Sequence, residues 1–346
     1  MLPKAIFFSL NCLFFSILTL SQPTLAFAGR PQSLPSVFDC LSAEEGNVLQ
    51  LEVDLTELIN NKKTNQYFPG AVTTDKGRIF SVEVRPRGRY RRIHCDVPPL
   101  KLKFRKKELR AAGLDTLNEV RLSLPCFDDP ESEMLLLREY VAYRMFERLN
   151  PEFSVRARLI KIIIHDKHVE KTIAPMYALL IEHEEQIAAR MDGSIVECFN
   201  LPIDSMHLGQ AALTSMFEYM IGNTDWALAD VRNVYCLKPN DGGKIRVIPY
   251  DFDFSGLVNA PYAIPNIKTG LKNVRERLLM ANGIPNPALL EAMQVVRGAQ
   301  EGLIGLCQSQ FLTSKSSEYM KAYIEKFFEA VGTSEKIPER IKGNLR

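Results

Sequence analysis

Residues 221–256 read IGNTDWALADVRNVYCLKPNDGGKIRVIPYDFDFSG. A helical pattern through Leu208, Ala211, Leu213, Met216 and Met220 runs into Gly222, with Asp204 placed to cap its start. Two short apolar runs follow, NVYCL (233–237) and KIRVIPYD (244–251), joined by Lys-Pro-Asn-Asp-Gly-Gly, a turn by composition and length. A hairpin brings its ends together, so Asn223, Asp225 and Asn233 should converge with Asp251 and Asp253. Carboxylates with an asparagine make a hard-oxygen set suited to Mg²⁺, which bridges phosphate oxygens in preference to an all-protein cage. A further Asp at the helix–strand junction is placed to orient a hydroxyl or water. A lone Asp-x-Asp reads equally well as two solvated turn carboxylates; the three polar groups one hairpin upstream weigh toward a site.

Upstream, the text alternates. VLQLEVDL, RIFSVEVRPRG and PPLKLKF have period two, with Phe80, Val82 and Val84 on one face and Ile79, Ser81 and Glu83 on the other. This part predicts an antiparallel sheet. The period then lengthens over Glu133–Leu149, returns to β in RLIKIIIHD (158–166) and MYALLIE (176–182), and is helical at 287–309 and 316–331. Strands first and helices later predict an α+β protein of two lobes, β-rich over 45–183 with one helix and mainly helical over 184–334. Residues 29–44 read as a leader and 335–346 as a tail. No internal repeat is visible.

The chain has 346 residues, 46% hydrophobic and 24% charged, which excludes a disordered chain, a coiled coil and a collagen-like repeat. Lys4, an uncharged run from Ala5 to Leu20 and Ala26-Phe27-Ala28 before Gly29 have the form of a secretory signal peptide over 1–28. The expectation is an exported protein, periplasmic or extracellular, without a membrane span after cleavage near Ala28-Gly29. The mature chain keeps six cysteines, Cys40, Cys95, Cys126, Cys198, Cys236 and Cys307, enough for three disulfides. Cys95 and Cys126 flank the sheet and the first helix and are candidates to brace them. The five histidines show no ligand spacing and read as surface or core residues. The net charge of +2 hides an uneven distribution: Lys76–Arg110 holds 13 basic residues against Glu83, Asp96 and Glu108. Such a stretch is a solvated face, a phosphate-handling sheet or a polyanion site. It lacks the interleaved aromatics of single-stranded nucleic-acid binders.

The order RGR (87–89), PPLKLKF (98–104), LLREYVAYRMF (136–146), YALLIE (177–182), GNTD…N and PYDFD resembles the spore coat protein H-like (CotH) family of atypical secreted kinases, in an uncharacterised bacterial branch. The resemblance implies a two-lobed protein-kinase-like fold, with an N-terminal antiparallel β-rich lobe and a mainly helical C-terminal lobe. It implies ATP or another nucleotide as co-substrate, with Mg²⁺ or Mn²⁺. By position, Arg87, Lys101 or Lys103 would contact the phosphates, and Glu139 would pair with that lysine. Glu182 would lie near the adenine pocket. Asp225 would be the catalytic carboxylate, and Asn233, Asp251 and Asp253 the metal ligands. Gly88 stands alone among arginines where kinases often place several glycines.

Three functions compete on these residues. The first is phosphoryl transfer from a nucleotide to a protein or cell-envelope acceptor by a monomer, with no specific nucleic-acid partner. The second is a catalytically inactive, pseudokinase-type envelope binding or assembly protein, holding an anionic partner on the basic sheet. The third is metal-dependent phosphate hydrolysis by the same acidic cluster.

Overall fold

Strand β1 (Asn47–Val53) alternates buried and exposed residues along its whole length and is paired on both edges. A computed structural model describes residues 34–281 and 283–332 of the chain. Contacts divide the chain into Met1–Ser33 and Leu34–Arg346, and the described residues belong to the second unit. The signal-peptide reading and the tail lie outside the described residues.

In chain order the first part comprises α1 (Val37–Leu41), β1, α2 (Leu55–Asn60), β2 (Phe68–Thr73), β3 (Ile79–Pro86), α3 (Tyr90–His94), β4 (Leu100–Phe104), α4 (Lys106–Ala111), β5 (Glu119–Ser123), α5 (Pro130–Leu149), β6 (Ala157–Asp166) and β7 (Lys171–Glu182). The seven strands form a closed barrel in the order β1-β2-β3-β4-β5-β7-β6. Closure is made by a parallel pairing, Asn47–Val53 against Ile160–Asp166, while every other pair in the barrel is antiparallel. Leu49, Leu51, Phe80, Val82, Leu102, Phe104, Ile162 and Leu180 fill the interior. Gly70 is required where β2 passes β1, because a Cβ there would strike the Glu52 carbonyl oxygen.

This corrects the expected fold. The chain does not form the two-lobed kinase arrangement with an antiparallel β-rich lobe; its strands close into a mixed barrel. Alternation reveals that a strand has a buried face but not which strands are neighbours. The parallel pair needs a long crossover, here including α5, and no local pattern signals it.

The second part comprises α6 (Glu184–Arg190), β8 (Gly193–Val196), α7 (Leu208–Ile221), β9 (Val234–Pro239), β10 (Arg246–Pro249), α8 (Asn286–Gly298), α9 (Gln300–Leu306) and α10 (Ser314–Val331). Strands β10, β9 and β8 make a small antiparallel sheet. Its core gathers α5, α7, α8 and α10 with the outward face of β6 and β7, through Phe146, Leu159, Leu179, Phe217, Phe252 and Phe327. Helix α7 starts later than expected: His207, not Asp204, is its N-cap, its Nδ1 accepting from Gln210 N at 3.2 Å. Gly222 ends it in the left-handed region, and a Cβ there would overlap the Tyr323 hydroxyl.

Two disulfides form, Cys95–Cys126 and Cys198–Cys236, while Cys40 and Cys307 remain free. Cystines of this kind are compatible with export. No described helix is long and apolar enough to cross a membrane.

Candidate functional site

The β9–β10 hairpin pairs Val234 with Pro249, so the residues just outside that pair meet: Tyr250 N donates to Asn233 O at 3.0 Å. Asp251 follows with φ +67°, its N–H donating to the Tyr143 hydroxyl of α5 at 3.0 Å. Asp225 lies on the loop leaving α7. Its N–H donates to Asn223 Oδ1 at 2.9 Å, and Asn233 Nδ2 donates to its carbonyl at 2.6 Å and to its Oδ2 at 3.1 Å. Trp226, 1% exposed, anchors this loop in the core. Val231 and Asn233 also adopt positive φ, at +51° and +52°. For a β-branched valine that is a strained conformation, held only because the surrounding contacts over-determine it.

The carboxylates sense one another. Burial and then the charge of Asp251 raise the pKa of Asp225. Burial and the same Asp251 push Asp253 up to about 7, although Tyr262 Oη donates to its Oδ2 at 3.1 Å. Glu139 on α5 is 1% exposed; burial and Asp253 push it up to about 8. Its partner is Arg91, whose Nη1 lies 3.4 Å from Glu139 Oε2, and Glu139 Oε1 has no hydrogen-bond partner among the described residues. Arg91 Nη2 also donates to the Leu124 carbonyl at 2.5 Å. The C-cap residue of α3, the helix that carries Arg91, is tied to the loop between β5 and α5 by Cys95–Cys126. The result is an acidic group whose buried members, Glu139 and Asp253, face Arg91, with Arg87 also acting on Glu139 and Arg232 3.7 Å from Asp225.

No three His, Cys, Asp or Glu side chains among the described residues stand close enough to hold a metal ion by themselves. The donor chemistry still fits Mg²⁺ or Mn²⁺: Asp251, Asp253 and the oxygen of Asn233 are hard donors, and Mg²⁺ is commonly held by one or two carboxylates with phosphates and water. Raised carboxyl pKa values are also what an incoming cation would relieve.

Beside this group is a basic cavity of about 160 Å³. Arg85 of β3, Lys101 of β4 and Arg121 of β5 stand directly opposite one another across the strands and line it, with Arg87 beyond the end of β3. Like charges directly opposite on a sheet are destabilising, so this row needs compensation. Lys101 is paired with Glu119, and Arg121 with Glu184. Tyr235 and Tyr250 stack at 4.2 Å under the guanidinium of Arg121, which lies 5.4 and 6.0 Å from their ring centres and donates to the Tyr235 hydroxyl. His183 Nε2 is 3.0 Å from Glu119, yet burial and the charges of Arg121 and Lys101 push the imidazole down to about 3 and keep it neutral. Arg87 joins the two regions. Its pKa is lowered by burial and Arg121 and is opposed by the attraction of Asp251.

Of the sequence-predicted residues, Asp225, Asn233, Asp251 and Asp253 come together, and Arg87 and Lys101 line the adjoining cavity. Lys103 points elsewhere, 4.0 Å from Glu83 and over the Tyr67 ring. Glu139 pairs with Arg91 and with neither lysine. Glu182 is wholly buried and is gripped by Arg156 at 2.7 Å and Arg190 at 2.8 Å. Sequence reasoning missed Arg85, Arg121, His183, the tyrosine stack and Arg91. The alternation of charged residues on β3 and β4 was visible, but only strand register shows that Arg85, Lys101 and Arg121 form one row. It also missed Glu218, a fully buried carboxyl on α7 whose pKa burial raises well above the usual carboxylate range.

No family model matches the chain, and no curated protein matches it. Among solved structures it is similar to the crystal structure of a Helicobacter pylori proinflammatory kinase, CtkA, at 10% identity and a TM-score of 0.40, covering 66% of this chain and 90% of that one. A likeness of that size assigns no residue roles; those rest on the geometry above.

Proposed function

We propose that the chain transfers a phosphoryl group from a nucleotide, with Mg²⁺ or Mn²⁺, to a hydroxyl of a protein or cell-envelope acceptor outside the cytoplasm. The observation that carries this reading is the abutment of a four-cation cavity and a strained acidic loop, with Arg87 between them. Phosphoryl transfer needs little covalent chemistry from the protein; it needs positioning and charge stabilisation. Arg87 and Lys101 bind the phosphates and hold the donor in line. Asp225 orients the acceptor hydroxyl and takes its proton as the new P–O bond forms and the bond to the leaving oxygen breaks; its raised pKa suits a base. Asp251, Asp253 and the Asn233 oxygen would hold the metal, which when bound neutralises charge developing on the phosphates. The Tyr262 hydroxyl fixes the position of Asp253, and the Arg91 charge favours its ionised form.

Incubating the full chain with γ-labelled ATP and Mg²⁺ should label an acceptor or the chain itself, and Asp251→Ala should abolish the label. Undiminished labelling by that variant sinks the assignment. Phosphate release without labelling indicates hydrolysis instead. The row of Arg85, Lys101 and Arg121 equally supports a second reading, an anion-binding protein without turnover, which predicts binding of phosphates with no label transfer.

A further inference from the structure

Nothing in the basic cavity is shaped to read a nucleobase. Its volume of about 160 Å³ falls below the ~300 Å³ at which pockets for drug-sized ligands begin. The rings that line it, Tyr235 and Tyr250, stack on each other, and the Arg121 guanidinium that donates to the Tyr235 hydroxyl lies 5.4 and 6.0 Å from their centres, so the ring faces they share are closed to a base. Glu182, the carboxylate that the sequence places near an adenine, is 0% exposed and already held by two arginines. What the cavity does offer is charge: Arg85, Arg87, Lys101 and Arg121 against Glu184, with Glu119 behind Lys101. Three of those cations are cross-strand neighbours, an arrangement that a multiply charged anion would stabilise. Guanidinium groups present paired donors that match phosphate oxygens.

We propose that this cavity is an oligophosphate site, which takes the phosphoryl donor by its phosphate chain and leaves whatever is attached to that chain unread. This deepens the function proposed above and rests on it. The donor class then includes any nucleoside triphosphate and inorganic tripolyphosphate alike. With tripolyphosphate the terminal P–O–P bond breaks, a P–O bond forms to the acceptor hydroxyl, the hydroxyl proton passes to Asp225, and pyrophosphate leaves with the bonding electron pair.

The test is titration calorimetry of the full chain with Mg²⁺ and, in turn, tripolyphosphate, ATP, GTP, CTP and adenosine. Tripolyphosphate and the three nucleotides should bind within about threefold of one another, adenosine should not bind, and Arg121→Gln should weaken all four phosphate ligands by about tenfold, equivalent to ~1.4 kcal/mol. ATP binding more than about tenfold tighter than both tripolyphosphate and CTP, or measurable adenosine binding, would overturn the inference and leave phosphoryl transfer standing. If no phosphate ligand binds the wild-type chain, both readings fall. Because the wild-type series decides the matter alone, a misfolded variant does not blur the outcome.

Discussion

Arg91 Nη1 lies 3.4 Å from Glu139 Oε2, with the two side chains 10% and 2% exposed. This one guanidinium faces Glu139, Asp253 and Asp251 together, and burial still wins at Glu139, whose pKa stays high. Arg91, together with Arg87 and with Arg232 beside Asp225, therefore limits how much charge the acidic group can carry.

Replacing Arg91 by Ala should cost about 2–3 kcal/mol, from the lost charged hydrogen bond to the Leu124 carbonyl and the contact with Glu139. Without the cation, Asp253 and Glu139 titrate higher still, so Mg²⁺-dependent activity should shift to higher pH. Urea denaturation and a pH–rate profile of R91A check the two effects; an unchanged profile removes Arg91 from the site.

Stability should decline as pH rises. Glu139 moves from 4.5 to about 8 and Asp253 from 3.8 to about 7, so between those limits the folded state keeps protons that the unfolded chain has lost. Each group then lowers stability by up to ~1.4 kcal/mol per pH unit within its window. His183 acts on the other side: its pKa falls from 6.5 to about 3, so acid favours the unfolded chain below pH 6.5. Melting temperature against pH should fall toward pH 8, and Glu139→Gln should flatten that limb. A limb as steep in E139Q as in the wild type would refute the assignment.

Glu182→Ala should cost about 3–5 kcal/mol, because it strips the buried partner from Arg156 and Arg190. Where E182A still folds, its affinity for ATP should match the wild type, since the carboxylate faces no ligand cavity. A selective loss of ATP affinity, with tripolyphosphate unaffected, would restore it as a base-reading residue.

The two lysines of β4 should separate cleanly. Lys101→Ala should weaken phosphate binding by about tenfold. Lys103→Ala should leave binding unchanged and alter stability by no more than ~1 kcal/mol, its pair with Glu83 being exposed and 4.0 Å long. Calorimetry with tripolyphosphate on both variants decides it.

The sequence alone marked several of the local elements and the β9–β10 hairpin, while β2, β5, β8 and the short helices were not read from it. Period-two alternation marked β1, β3 and β4, β6 and β7 were read as further β segments, and the turn composition of residues 238–243 marked the hairpin that gathers Asn233 and Asp251. Those features depend on neighbours a few residues apart. Only the tertiary structure decided the rest. The parallel closure of β1 on β6 joins residues more than a hundred positions apart, and it turned an expected antiparallel sheet into a mixed barrel. Register across β3, β4 and β5 put Arg85, Lys101 and Arg121 in one row, while Lys103, two residues along the same strand face, fell outside the cavity. Burial chose Arg91 over either lysine as the partner of Glu139 and enclosed Glu182 between two arginines. A sequence shows which charges exist; which of them meet is fixed by strand order, register and the low dielectric that makes each buried carboxylate demand a partner.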